Sequence, residues 1–144
     1  MAVKWVAAAI GMGCLALPAP AISQTLPRPL LQVVKQEQYQ AGGKDWVRHR
    51  LEVVNKGEFQ AALFAAAPGL PPCGLNRNSS RTWVDIYAQD GKRIYGFCAL
   101  AKTEDLSSLW FATEAGVEPP RWVYIEINDR QTNTKVRSNL ALVP

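Results

Sequence analysis

The sequence predicts an all-β protein, an antiparallel β-sandwich of about seven strands. Three observations lead there. Short runs rich in Val, Ile, Trp, Tyr and Phe recur along the chain, several with alternating apolar and polar residues. Clusters of Gly, Pro, Asn and Asp separate them: "AGGKD", "PGLPPCG", "QDGK", "EAGVEPP" and "DRQTNT". Two cysteines, Cys73 and Cys98, bracket the clearest hairpin signal. The sequence carries no internal repeat, low-complexity tract or sign of a second domain.

The chain opens "MAVKWVAAAIGMGCLALPAPAISQ". One positive charge, Lys4, precedes an apolar run from Trp5 to Leu17, and small residues follow at Ala19, Ala21 and Ser23. That layout predicts a signal peptide over residues 1–23, cleaved after Ala21 or Ser23, and a single domain over 24–144. The apolar run is shorter than the roughly 20 residues a membrane span needs. Gly11 and Gly13 interrupt it, and Pro18 and Pro20 end it. The expected location is therefore secreted or periplasmic, with no stable membrane insertion after cleavage. An alternative is a lipid anchor on Cys14, although "IGMG" before it lacks the leucine usual in lipoprotein signals. A mature chain of about 120 residues is long enough to bury one core. Removing Lys4 lowers the net charge of +4 by one, and no run of five like charges suggests a nucleic-acid partner.

The strands follow in order. "LLQVVKQEQYQ" (30–40) reads as the first, although its second half is polar. "DWVRHRLEVVN" (45–55) places Val47, His49, Leu51 and Val53 on one face and Trp46, Arg48, Arg50 and Glu52 on the other. "EFQAALFAAAP" (58–68) is rich in alanine, yet Gly57 and Pro68 leave little room for a helix, so a short strand with an irregular exit is expected. "RTWVDIYA" and "RIYGFCAL" form a hairpin with Asp90-Gly91 in a two-residue type I′ turn. That register sets Tyr87 opposite Ile94, Asp85 opposite Gly96 and Trp83 opposite Cys98, with Ile86–Tyr95 and Val84–Phe97 on the other face. "KTEDLSS" predicts one helical turn capped by Thr103, with Glu104 and Asp105 in its first turn. "SLWFAT" (108–113), "RWVYIEIND" (121–129) and "KVRSNLALV" (135–143) complete the set.

Export leaves Cys73 and Cys98 as the only cysteines of the mature chain, and an even pair in an oxidising compartment reads as a disulfide. A zinc site needs about four ligands at close spacing. The single histidine, His49, lies on a different expected strand. A thioredoxin-like site needs C-x-x-C at a helix start, and these two cysteines are far too widely separated.

The C-terminal third resembles the end of a fibronectin type III or related immunoglobulin-like module. The resemblance rests on Val117, Pro119, Val123, Ile125 and Ile127, followed by "NDRQTNTKVRSNLALV", which is similar to the family's last hairpin and its closing Ser-Asn. The family usually has tyrosine where this chain has Val123. The resemblance implies the sandwich fold and no activity, because activity must be argued from a site.

Chemistry is sparse. His49 has no G-x-S-x-G elbow or cysteine partner to activate, and it reads as a strand histidine hydrogen-bonded within the sheet. Glu52, Asp85 and Glu126 stand singly on strands, Glu104 and Asp105 sit in a turn, and no phosphate loop, EF-hand or metalloprotease pattern is present. The sequence points to no catalytic residue, metal or cofactor. The suggestive surface is aromatic and basic: Trp46, Arg48 and Arg50 on one strand face, Trp122 and Tyr124 on the solvent side of another. Such a face suits stacking on sugar rings or gripping acidic groups. The expectation is a non-catalytic module that recognises a protein or glycan partner. A hydrolase and an accessory chain acting by strand pairing are the competing classes.

Overall fold

The computed structural model describes residues 15–18, 25–73 and 79–144. Cys14 and most of the expected signal segment lie outside the described residues, and 15–18 are exposed without regular structure. Among the described residues, no helix is long and apolar enough to cross a membrane.

Eight strands form: β1 (Leu31–Ala41), β2 (Lys44–Val53), β3 (Thr82–Ala88), β4 (Arg93–Phe97), β5 (Leu109–Glu114), β6 (Trp122–Asp129), β7 (Thr134–Arg137) and β8 (Ala141–Leu142). They make two antiparallel sheets, one of order β1-β2-β5 and one of order β4-β3-β6-β7 with β8 also on β6. The expected all-β sandwich is what the chain adopts. Alternation in each strand supplies the core: Leu31, Leu51, Val53, Leu109 and Phe111 from the first sheet meet Val84, Ile86, Val123, Ile125, Ile127 and Ala141 from the second. Each of these side chains larger than alanine contributes about 1.5–3 kcal/mol by leaving water. The bridge between Cys73 and Cys98 closes the loop that precedes β3 onto the end of β4.

The last edge strand breaks between β7 and β8, and side chains repair the ladder there. Ser138 donates its amide to the Ile125 carbonyl at 2.9 Å, and its hydroxyl accepts the Ile125 amide at 2.9 Å. Asn139 then reaches across to the other sheet. Its carboxamide accepts from the Leu31 amide at 2.8 Å and donates to the Leu31 carbonyl at 3.0 Å, filling the start of the β1 edge as a strand partner would. Val34 forms a bulge further along that strand.

The two-residue primed turn expected at Asp90-Gly91 forms instead at the β1–β2 link. Gly42 and Gly43 both take positive φ (60° and 74°) between Ala41 and Lys44, as a two-residue primed turn requires. At the β3–β4 link only Gly91 has positive φ (88°). There the Gly91 amide donates to Ala88 O at 2.9 Å and the Ala88 amide to Lys92 O at 2.9 Å, a three-residue loop ending in a glycine bulge. The longer loop shifts the local register, so Tyr87 opposes Arg93 instead of Ile94, while Asp85–Gly96, Ile86–Tyr95 and Val84–Phe97 pair as expected. Trp83 does not pair with Cys98, because β4 ends at Phe97 and the Cys98 carbonyl accepts from Ser80.

Three further expectations are corrected. Residues 58–68 form no strand; two short 3-10 turns (Lys56–Glu58 and Ala61–Phe64) bury Phe59, Leu63 and Phe64 against the core. Thr103 is the first residue of its 3-10 turn and not the cap. Asp105 secures the entry by accepting from the Ala101 and Lys102 amides at 2.7 and 3.2 Å. Val117 is 57% exposed and takes no part in the core.

Candidate binding face

Strand alternation sends Trp46, Arg48 and Arg50 outward from β2, because Val47, His49, Leu51 and Val53 take the inward positions. Register then decides their neighbours. Tyr39, Glu37 and Lys35 of β1 stand opposite Trp46, Arg48 and Arg50. Glu114, Ala112 and Trp110 of β5 stand opposite the same three on the other side. Opposite Arg48, Ala112 is too small to block the neighbouring rings. The Arg48 guanidinium lies 4.6 Å from the Tyr39 ring centre and 4.8 Å from that of Trp110. An arginine held over two rings gains cation–π attraction and loses rotamer freedom.

The aromatic strip continues past the sheet. Trp110 meets Tyr95 at 5.1 Å and Phe97 at 6.4 Å between ring centres, and Tyr95 packs edge-on to Phe97 at 5.2 Å. Both β4 residues belong to the other sheet, on its inward side, where the first sheet ends and leaves Tyr95 42% exposed. At the far end of β2 the Trp46 indole donates to the Ala41 carbonyl at 3.2 Å. It lines a shallow depression of about 420 Å³ with Gln38, Tyr39, Gln40, Asp45 and Ala115.

Charge is uneven across the same face. Glu37 binds Lys35 Nζ and Arg50 Nε, both at 2.7 Å. Those hydrogen bonds, Lys35 first, lower its pKa to about 2. Arg48 has no carboxylate partner among the described residues. Its Nε is buried without a hydrogen-bond partner, whereas neither Nη nitrogen is a buried orphan.

Trp122 and Tyr124 project from β6 on the outer face of the other sheet, so the structure separates them from Trp46, Arg48 and Arg50. Although on the outward side, Tyr124 is only 5% exposed. It stacks on Tyr87 at 5.2 Å, and Arg137 covers it at 4.4 Å. Trp122 is half-buried. Asp85 and Glu126, expected as isolated carboxylates, stand directly opposite each other. Arg93 pairs with Asp85 at 2.7 Å and Lys135 with Glu126 at 3.5 Å. Burial, with these two carboxylates, pushes the Tyr87 phenol up.

His49 is 1% exposed and sits under the candidate face, stacked on Phe111 at 4.6 Å between ring centres. Gln36 Nε2 donates to its Nδ1 at 3.2 Å, which leaves Nε2–H to donate to Thr113 Oγ1 at 3.1 Å. Burial pushes its pKa below the ordinary value. Among the described residues, no three His, Cys, Asp or Glu side chains are grouped to hold a metal ion. Asp129 is held below the usual carboxylate range by a two-pronged bond to Arg81, with both N–O distances 2.7 Å. Its remaining bonds go to the Gln131 amide and the Thr132 hydroxyl, which secure the turn after β6.

Sequence reasoning missed Tyr39, Glu37, Trp110, Tyr95 and Phe97. The glycine pair of "AGGKD" already implied Tyr39 beside Trp46, since a two-residue turn sets that register. No local signal brings Trp110 or Tyr95 alongside. Comparison with protein-family models, with curated proteins and with solved structures returns no match.

Proposed function

We propose that the chain is an exported, non-catalytic binding module that recognises a protein or glycan partner through the outer face of the β1-β2-β5 sheet. The observation that carries this reading is the seating of Arg48 between Tyr39 and Trp110, in a strip that runs on to Tyr95 and Phe97. Rings held apart by a guanidinium offer flat apolar area beside fixed donors, the combination that small contact surfaces use for specificity. Export is supported by the layout of residues 1–23 together with the disulfide. Kinship with immunoglobulin-like modules, the fibronectin type III kind included, is supported by strand order. With β1 to β7 lettered A, B, C, C′, E, F and G, the sheets are A-B-E and C′-C-F-G.

Titrating tryptophan fluorescence against polysaccharides, peptidoglycan fragments and acidic peptides tests the binding reading. The expected result is a saturable change with one class, abolished in Trp110→Ala and weakened in Trp46→Ala. A response that survives both substitutions places binding elsewhere and refutes the assignment of this face.

A further inference from the structure

Arg48 differs from the other arginines in how its guanidinium is held. Two rings clamp it, its Nε is sealed inside without a partner, and its two Nη nitrogens have no protein acceptor among the described residues. The side chain is thus immobilised before any ligand arrives, and a fork already fixed loses little entropy when it meets a planar acceptor. Around it, Lys35 and Arg50 both pair with Glu37, so that with the unpaired Arg48 three cations stand against one carboxylate. That excess is complementary to an acidic ligand.

We infer that Arg48 is the anion-receiving centre of this face and that its ligand is an acidic polysaccharide built of carboxylated sugar rings. The inference rests on the binding role proposed for the face. A carboxylate matches the two outward Nη groups in a bidentate bond. The flanking rings of Tyr39, Trp110 and Tyr95 suit the apolar C–H faces of sugars. A peptide is less well served. Extended peptides gain affinity by adding to a free strand edge, whereas this strip of rings lies on the outer face of the sheet, where Trp110 meets Tyr95 and Phe97.

Affinity electrophoresis of the disulfide-bonded protein through gels containing polygalacturonate, neutral dextran or polyglutamate tests the inference. Polygalacturonate is expected to retard the wild-type chain, less so as salt is raised. Arg48→Gln is expected to weaken retardation about tenfold or more, and Arg48→Lys to restore part of it, since lysine keeps the charge without the fork. Glu37→Gln, which frees Arg50, is expected to tighten binding several-fold, a gain that misfolding cannot mimic. Thermal unfolding of each variant identifies any loss that comes from instability. Unchanged binding in a folded Arg48→Gln overturns the inference, as does polyglutamate retardation with the same Arg48 dependence. Retardation by dextran that is lost in Trp110→Ala overturns the acidic ligand but keeps the binding face. No retardation by any of the three polymers overturns both.

Discussion

The two outer faces of the sandwich use the same residue types in different arrangements. On the five-stranded sheet, Tyr87 and Tyr124 stack, Arg137 lies over Tyr124 across from Glu126, and Asp85 and Glu126 each have a cation. That face is closed over Tyr124 by Tyr87 and Arg137, which is why an outward tyrosine is buried. On the three-stranded sheet, the aromatic strip runs to an exposed edge and its central arginine has no carboxylate. An aromatic–arginine pair is therefore not by itself a sign of a binding site. What differs is the setting: Arg137 covers one buried ring, whereas Arg48 sits between two rings in a strip that reaches an exposed edge.

Substitutions should expose that contrast. Tyr124→Ala is expected to lower unfolding free energy by about 3 kcal/mol, because it empties a buried, stacked position. Trp110→Ala, at a partly buried position, should lower it by about 1–2 kcal/mol. Urea titration of the two variants compares them, and equal losses would erase the distinction between a closed and an open face.

Replacing both cysteines by serine should lower stability by about 3 kcal/mol. The bridge anchors the end of β4, which carries Tyr95 and Phe97 to Trp110. Loss of the bridge should therefore shift the Trp110 emission to the red. Intact mass of the exported protein should show two hydrogens fewer than the reduced formula.

Acid should act first from beneath the open face. The folded-state pKa of His49 lies below the unfolded value of 6.5, so the unfolded chain takes up the proton first as pH falls. The stability this group contributes is complete above about pH 6.5 and is lost as pH falls toward the folded-state value. A protonated Nδ1 would also confront the Gln36 amide donor. Thermal midpoints measured between neutral and mildly acidic pH should drop in wild type and change less in His49→Gln. Identical slopes would remove His49 as the cause.

The smallest effect is expected at Gly96. A Cβ there would meet the Arg93 guanidinium and the Asp85 carboxylate. Gly96→Ala should displace Arg93, whose exposed end is free to move, and change stability by less than about 1 kcal/mol. A larger loss would mean that the Arg93–Asp85 pair does more for the closed face than an exposed ion pair normally does.

Much of the fold was legible in the chain. β2, β3, β5 and β6 fall within about two residues of their sequence patterns, since alternation and β-branched content act locally. Residues 58–68 misled because Phe59, Leu63 and Phe64 are buried by tertiary contact from a segment with no strand partner. The hairpin at Asp90-Gly91 misled because one glycine at positive φ serves a three-residue loop as well as a primed turn needs two.

By itself, the sequence determined which face of each strand turns outward, because side-chain direction alternates with every residue and needs no neighbour. It also determined the sulfur pair and the positions of most bends. Only the tertiary structure decided that Trp46, Arg48 and Arg50 stand on one outer face and Trp122 and Tyr124 on the other. It alone brought Tyr39 and Trp110 to either side of Arg48. The reason is that a strand's partners come from pairing across distant segments, and register and sheet membership are properties of the assembled core.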